Sequence, residues 1–270
     1  MNLSKESYKR KKDLERKVKA QNNKRGRKQP SQIPHKLTRT SAFAPKSRGL
    51  ITDSRFDRFY IVDKHSVLRI MGREMGSKHR DLLYALFRLK PEIFVLDGRQ
   101  YCETKTTWRE LLFITNKTAH KNNIRTLLDL CTDFQKVVIQ VYNGDSEAIR
   151  QQLEAGKIMG TGFSENIISS ILWSGDSLDS NITIRYGAWV HEMFRTKKLV
   201  SLNAHVQFRL KSDYAKAFWP FIDSQNYHTF VDEETLAQLS GLDLSVDKIK
   251  EDGRVIQAPV GTVKLTGHRI

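Results

Sequence analysis

The chain has 270 residues, 46 Lys and Arg against 30 Asp and Glu, a formal net charge of +16 and two cysteines. The charge is uneven: residues 1–50 hold 16 basic and 3 acidic side chains (+13), which leaves 30 against 27 (+3) for residues 51–270. Cys102 and Cys131 are too few for a disulfide scaffold and lack paired metal-ligand spacing, no apolar run approaches the ~18 residues of a membrane span, and the N-terminus has no apolar signal core.

These features predict a cytoplasmic protein, with no membrane association, whose partner is a polyanion. Residues 1–37 carry few large apolar side chains and should form a disordered basic arm. Its Lys9, Arg10, Lys11, Lys12, Lys24, Arg25, Arg27 and Lys28 would hold phosphates by counterion release, the plainer alternative being a solubilising tail. The near-neutral remainder is long enough for two domains, placed at 38–175 and 176–270.

Chain order then gives a strand at RFDRFYIVD from Arg55 and a helix at SKHRDLLYALFRLKPE. Leu82, Leu83, Leu86, Phe87 and Leu89 make that helix's apolar face, and Pro91 ends it. A short strand follows at FVLDGRQYCE. Residues 107–130, TWRELLFITNKTAHKNNIRTLLDL, are the most informative segment. Thr107 and Glu110 have capping-box spacing, so a short helix should start there with Leu111, Leu112 and Ile114 facing inward. Asn116 and Lys117 interrupt it. A second helix from about Thr118 puts Ile124, Leu127, Leu128 and Cys131 on one face, which is the layout of a helix-turn-helix. Its polar N-terminal half carries His120, Lys121, Asn122, Asn123 and Arg125, where a recognition helix meets base edges, and Asn and Arg pair bidentately with adenine and guanine. Lys117 would hold a phosphate beside it. An ordinary polar helix surface is the competing reading of the same residues.

FQKVVIQVYNG next reads as the first strand of a wing, residues 143–157 as a polar helical insertion, and IISSILW with NITIRY as a β-hairpin across the turn SGDSLDS. GAWVHEMFRT suggests a helix and LVSLNAHVQFRL a strand. SDYAKAFWPFIDSQ suggests a helix with Tyr214, Phe218, Phe221 and Ile222 at core spacing, kinked or cut short at Pro220. FVDEETLAQLSG reads as a further short helix ending at Gly241. The predicted class is α+β: two winged-helix domains in tandem behind the basic arm.

The sequence completes no catalytic motif. HEMFR at 191–195 has Arg195 where a zinc-protease helix needs a second imidazole. No two histidines flank a single apolar residue. Gly156-Lys157 is followed by Ile158 rather than Ser or Thr, and Gly160-Thr161-Gly162 lacks a third glycine. The expectation is a binding protein, not an enzyme, with no catalytic residue, metal or cofactor.

SAFAPKSRG (41–49), the 107–130 pair and ITIRYGAWVHEMFRTKKLVSLNAHVQFRLKSDYAKAFWPFIDSQNYHTFVDEETLAQLSGL (182–242) together resemble plasmid replication initiators of the TrfA and Rep type. The resemblance covers roughly residues 38–242 and rests on element order and apolar spacing. It implies two winged-helix domains that bind directly repeated origin sites (iterons) in double-stranded DNA and open an adjacent A+T-rich segment. It also implies recruitment of host DnaA and the replicative helicase, and a homodimer as the inactive form, with no metal or nucleotide hydrolysis. The chain departs from the family after Gly241: only 29 residues follow, so the second unit is shortened or divergent. Lys248, Lys250 and Arg254 are its remaining candidate DNA contacts. Two other readings stay open, a winged-helix transcriptional repressor and an RNA-binding protein.

Overall fold

The computed structural model describes residues 31–53, 55–96, 98–157, 161–224 and 239–240. The fold is built around one helix. Strand β1 (Ser31–Pro34), the short helix α1 (His35–Thr38), β2 (Phe43–Ala44), the hairpin β3 (Asp57–Asp63) and β4 (Ser66–Met71), and β5 (Met75–Gly76) lead into α2 (Ser77–Arg88). Leu82, Leu83, Tyr84, Ala85, Leu86 and Phe87 are all buried, so the C-terminal half of α2 is enclosed on every side, as its all-round apolar run LLYALF requires. Gly76 is extended at its N-cap, where its N–H donates to His79 Nδ1 at 3.1 Å. Leu89 caps the other end, and Lys90 turns the chain with φ of 57°.

Two four-stranded antiparallel sheets flank this helix. The first has the order β3-β4-β8-β9, with β8 at Val138–Asn143 and β9 at Thr161–Asn166. Its inward side chains, among them Leu68, Ile70, Ile139 and Val141, join the main core. Val67 and Tyr142 face the other way and pack with Ile149 and Leu153 of α5 (Ser146–Glu154), an amphipathic helix capped by Asp145. The second sheet has the order β10-β11-β7-β6, from β6 (Glu92–Leu96), β7 (Arg99–Thr107), β10 (Ile168–Trp173) and β11 (Asn181–Tyr186). Between β7 and β8 run α3 (Trp108–Ile114) and α4 (Lys121–Gln135). After β11 come α6 (Ala188–Arg195), β12 (Leu199–Leu202), α7 (Ala204–Arg209) and α8 (Asp213–Ser224). A continuous core reaches from Ile33 to Leu202.

The architecture is mixed helix and strand, consistent with the predicted α+β class, and differs from the sequence reading at several points. Residues 31–37, assigned to the disordered arm, instead form β1 and α1. β1 pairs antiparallel with β12, and Ile33 and Leu37 are buried, which offsets the entropy of ordering them. FQKVVIQVYNG is a strand, but it pairs with β4 and β9 in the first sheet and is not next to the hairpin beside α4. Of LVSLNAHVQFRL only Leu199–Leu202 is extended. The Asp223 carboxylate accepts from Asn203 N–H at the break, and α7 follows.

α8 continues through Pro220 to Ser224. It buries Ala217 and Pro220 rather than Tyr214 and Ile222, which are exposed. The 175/176 domain boundary falls in the loop between β10 and β11, whose residues pair from Ile168↔Tyr186 to Trp173↔Ile182. The helix expected at FVDEETLAQLSG lies almost wholly outside the described residues.

Candidate nucleic-acid interface

The helix pair predicted from residues 107–130 forms. Thr107 is the N-cap of α3, its Oγ1 accepting from Glu110 N–H at 3.3 Å, while the Glu110 carboxylate turns to the Thr106 hydroxyl at 2.9 Å. Trp108, Leu111, Leu112 and Ile114 are buried. Asn116 takes a left-handed φ of 55°, which ends α3, and Lys117 N–H donates back to the Leu112 carbonyl at 2.8 Å. The chain re-enters helix at Lys121, three residues later than the sequence suggested.

That offset decides which polar side chains remain available. His120 is the N-cap of α4, its Nδ1 accepting from Asn122 N–H at 3.2 Å. Asn123 holds the turn, its amide donating to the Thr118 carbonyl at 2.8 Å and hydroxyl at 2.9 Å. Asn122 and Arg125 are exposed, three residues apart on one face, and neither side chain makes a hydrogen bond or ion pair among the described residues. Ile124, Leu127, Leu130, Cys131 and Phe134 anchor the opposite face. Lys121 and Arg125 sit at the end of α4 where the helix dipole is positive. Asp129, also exposed, marks the end of the basic half.

Lys117 is placed differently. It is half-buried, and burial first, then the neighbouring charges of Lys78 and Lys216, push its ammonium pKa down, only partly offset by Asp81. The arm residues Lys9, Arg10, Lys11, Lys12, Lys24, Arg25, Arg27 and Lys28, and the distal Lys248, Lys250 and Arg254, lie outside the described residues.

The hairpin β10–β11 lies beside the helix pair, and its loop is fastened to it. Trp108 Nε1 donates to the Gly175 carbonyl at 3.0 Å, and Arg109 N–H to the Leu178 carbonyl at 2.8 Å. The Arg109 guanidinium grips Asp179 with two bonds, at 2.8 and 3.0 Å, and its pKa is raised by that carboxylate. Lys121 Nζ meets Asp176 at 3.1 Å. Sequence reasoning missed Arg109, Asp176 and Asp179. The signal available was the pair of aspartates, with no lysine or arginine, in the turn SGDSLDS.

Burial pushes both cysteine thiols up to about 12, which leaves them inert at neutral pH. Among the described residues no cluster of His, Cys, Asp and Glu could hold a metal ion, and no helix is long and apolar enough to cross a membrane.

No protein-family model matches the chain, and no curated protein matches its sequence. Among solved structures, a crystal structure of a selenomethionine derivative of domains 2 and 3 of RctB is similar, with a TM-score of 0.50 and 10% identity over 82% of this chain and 83% of that one. A second crystal structure of RctB domains 2–3 aligns with a TM-score of 0.44, 10% identity and coverages of 73% and 72%. RctB is a replication initiator of Vibrio chromosome II, and this chain shares the fold of its second and third domains.

Proposed function

We propose that the chain is a replication initiator that binds double-stranded DNA at repeated origin sites. The observation that carries this reading is the exposed couple Asn122 and Arg125, unpaired among the described residues, at the N-terminal half of α4, beside a hairpin whose second strand pairs with the strand preceding α3. The order α2, β6, β7, α3, α4, β10, β11, with the sheet ordered β10-β11-β7-β6, supports a winged-helix reading in which β6 is an added edge strand and β8, α5 and β9 are an insertion. In such a unit the second helix of the pair enters the major groove. The shared fold with RctB and the resemblance to plasmid initiators of the TrfA and Rep type support the same reading.

On this reading Asn122 and Arg125 contact base edges, Lys121 and the arm hold phosphates, and His120 and Asn123 keep the N-terminus of α4 in shape. A second winged-helix unit would begin at α6. Binding to iterons in a plasmid origin, recruitment of host DnaA and the replicative helicase, and a homodimeric inactive form belong to the same proposal, as does action by binding without catalysis.

The test has two parts. Binding of the full chain to DNA flanking its own reading frame is compared with binding to scrambled duplex, and maintenance of a marker plasmid carrying that DNA is then scored with and without the protein. Selective binding with dependent maintenance is expected. Selective binding without maintenance would make the chain a repressor. Equal affinity for both duplexes, or preference for structured RNA, would end the claim.

A further inference from the structure

The loop beside α4 has no cation with which to hold a phosphate. Residues 174–180, SGDSLDS, contain Asp176 and Asp179 and neither Lys nor Arg. If the hairpin meets DNA, it must do so by other means, and one large side chain is in position to do it.

Trp173 is the last residue of β10 and is 54% exposed. It pairs with Ile182, and two residues earlier Ile171 pairs with Ile184. Both isoleucines of β11 are buried. Alternation along a strand puts Trp173 on that same core-facing side, so it is a core-face residue where the helical layer no longer covers the sheet.

The direction of β10 fixes what lies next to it. Gln135, at the C-terminal end of α4, donates to the Ser169 carbonyl at 3.4 Å, and Lys121, at the N-terminal end, meets Asp176 at 3.1 Å. β10 (Ile168–Trp173) therefore runs antiparallel to α4, and residues 174–176 carry the chain on to the helix's N-terminal end. Trp173, the last residue of the strand, lies toward that N-terminal end.

We infer that Trp173 is an apolar DNA contact of the hairpin, its indole packing on deoxyribose and base edges in the groove next to the one α4 reads. This rests on the proposed duplex binding at α4. Such a contact adds affinity without releasing counterions, whereas each lysine or arginine on a phosphate steepens the salt dependence. An aromatic side chain in a groove also favours steps that unstack easily.

The test uses the full chain and a fluorescein-labelled mixed-sequence duplex of about three helical turns. Trp173→Ala should weaken binding roughly tenfold at every salt concentration and leave the slope of log K against log[salt] unchanged. Trp173→Phe, which preserves an aromatic ring, should retain most of the affinity. In the unaltered protein DNA should shield tryptophan emission from iodide, and Trp173→Phe should remove most of that shielding, because Trp108 and Trp189 are buried at 1% and 4% exposure and the fourth tryptophan, half-buried Trp219, lies on α8 rather than on the hairpin. Unchanged affinity in Trp173→Ala, or no DNA shielding in the unaltered protein, overturns the inference while leaving duplex binding intact. Failure of the unaltered protein to bind any duplex overturns both.

Discussion

Lys121, the first residue of α4, meets the Asp176 carboxylate across the hairpin loop at 3.1 Å, with both side chains open to solvent. The Arg109–Asp179 pair repeats the arrangement at the start of α3. On the proposed reading, the two carboxylates compete with DNA phosphates for these cations. The exposed Lys121–Asp176 pair is worth about 0–1 kcal/mol, so it exchanges readily, but like charge near phosphate would penalise contacts made without base reading. Asp176→Asn should therefore tighten binding to scrambled duplex about threefold to fivefold at low salt, with the gain vanishing as salt screens it. Fluorescence anisotropy across a salt series checks this, and no gain at low salt would refute it.

Asp133 fastens the other end of α4. It pairs with Arg73 and accepts from buried His79 Nε2 at 3.2 Å, while His79 Nδ1 accepts from Gly76 N–H. Asp133→Ala leaves a buried N–H and a largely buried guanidinium without their partner, at a cost of about 2–4 kcal/mol. Urea unfolding should show a reduced midpoint at unchanged slope. A loss below about 0.5 kcal/mol, the scale of ordinary surface substitutions, would mean that the network contributes little.

Glu103 carries the pH dependence. Burial alone would raise its pKa, but hydrogen bonds and charge from Lys105 and Arg185 outweigh that and hold it below the usual carboxylate range. A carboxyl whose folded pKa is depressed contributes stability that is present above its unfolded pKa and is lost as pH falls through the folded value. Glu103→Gln should therefore be less stable than the unaltered protein at pH near 7, with the gap closing below about pH 4. Melting curves at several pH values decide it, and a constant gap would contradict the assignment.

The arm supplies affinity of a different kind. Residues 1–30 hold 12 basic and 3 acidic side chains, a net +9. If about five of them meet phosphates, deleting residues 1–30 should flatten the salt slope by roughly 4–5 and leave the preference for specific over scrambled DNA largely intact. A lost preference with an unchanged slope would reverse these roles.

Local patterns were legible in the sequence and long-range pairing was not. The spacing of Ile124, Leu127 and Cys131 gave α4, and Thr107 gave the start of α3, because caps and apolar periodicity are properties of a few neighbouring residues. Val138–Asn143 was recognisable as a strand, but its partner, β4, lies some seventy residues away, and periodicity says nothing about partners.

The candidate site shows the same division. Residue types identified α4 as the element that could read DNA, whereas its starting residue determined that His120 caps, Asn123 braces the turn, and Asn122 and Arg125 remain exposed. Trp173 escaped notice because an aromatic at a strand end looks the same whether the helical layer covers it or stops short of it.

The most direct test of the account is the discrimination ratio of Arg125→Ala, measured by competition between DNA flanking the reading frame and scrambled duplex at one salt concentration. A lost bidentate base contact costs about 1–3 kcal/mol of discrimination. The ratio should fall at least about fivefold, with binding to scrambled DNA changed by no more than about threefold, the effect of one lost phosphate-range charge. An unchanged ratio would show that the N-terminal half of α4 does not read sequence.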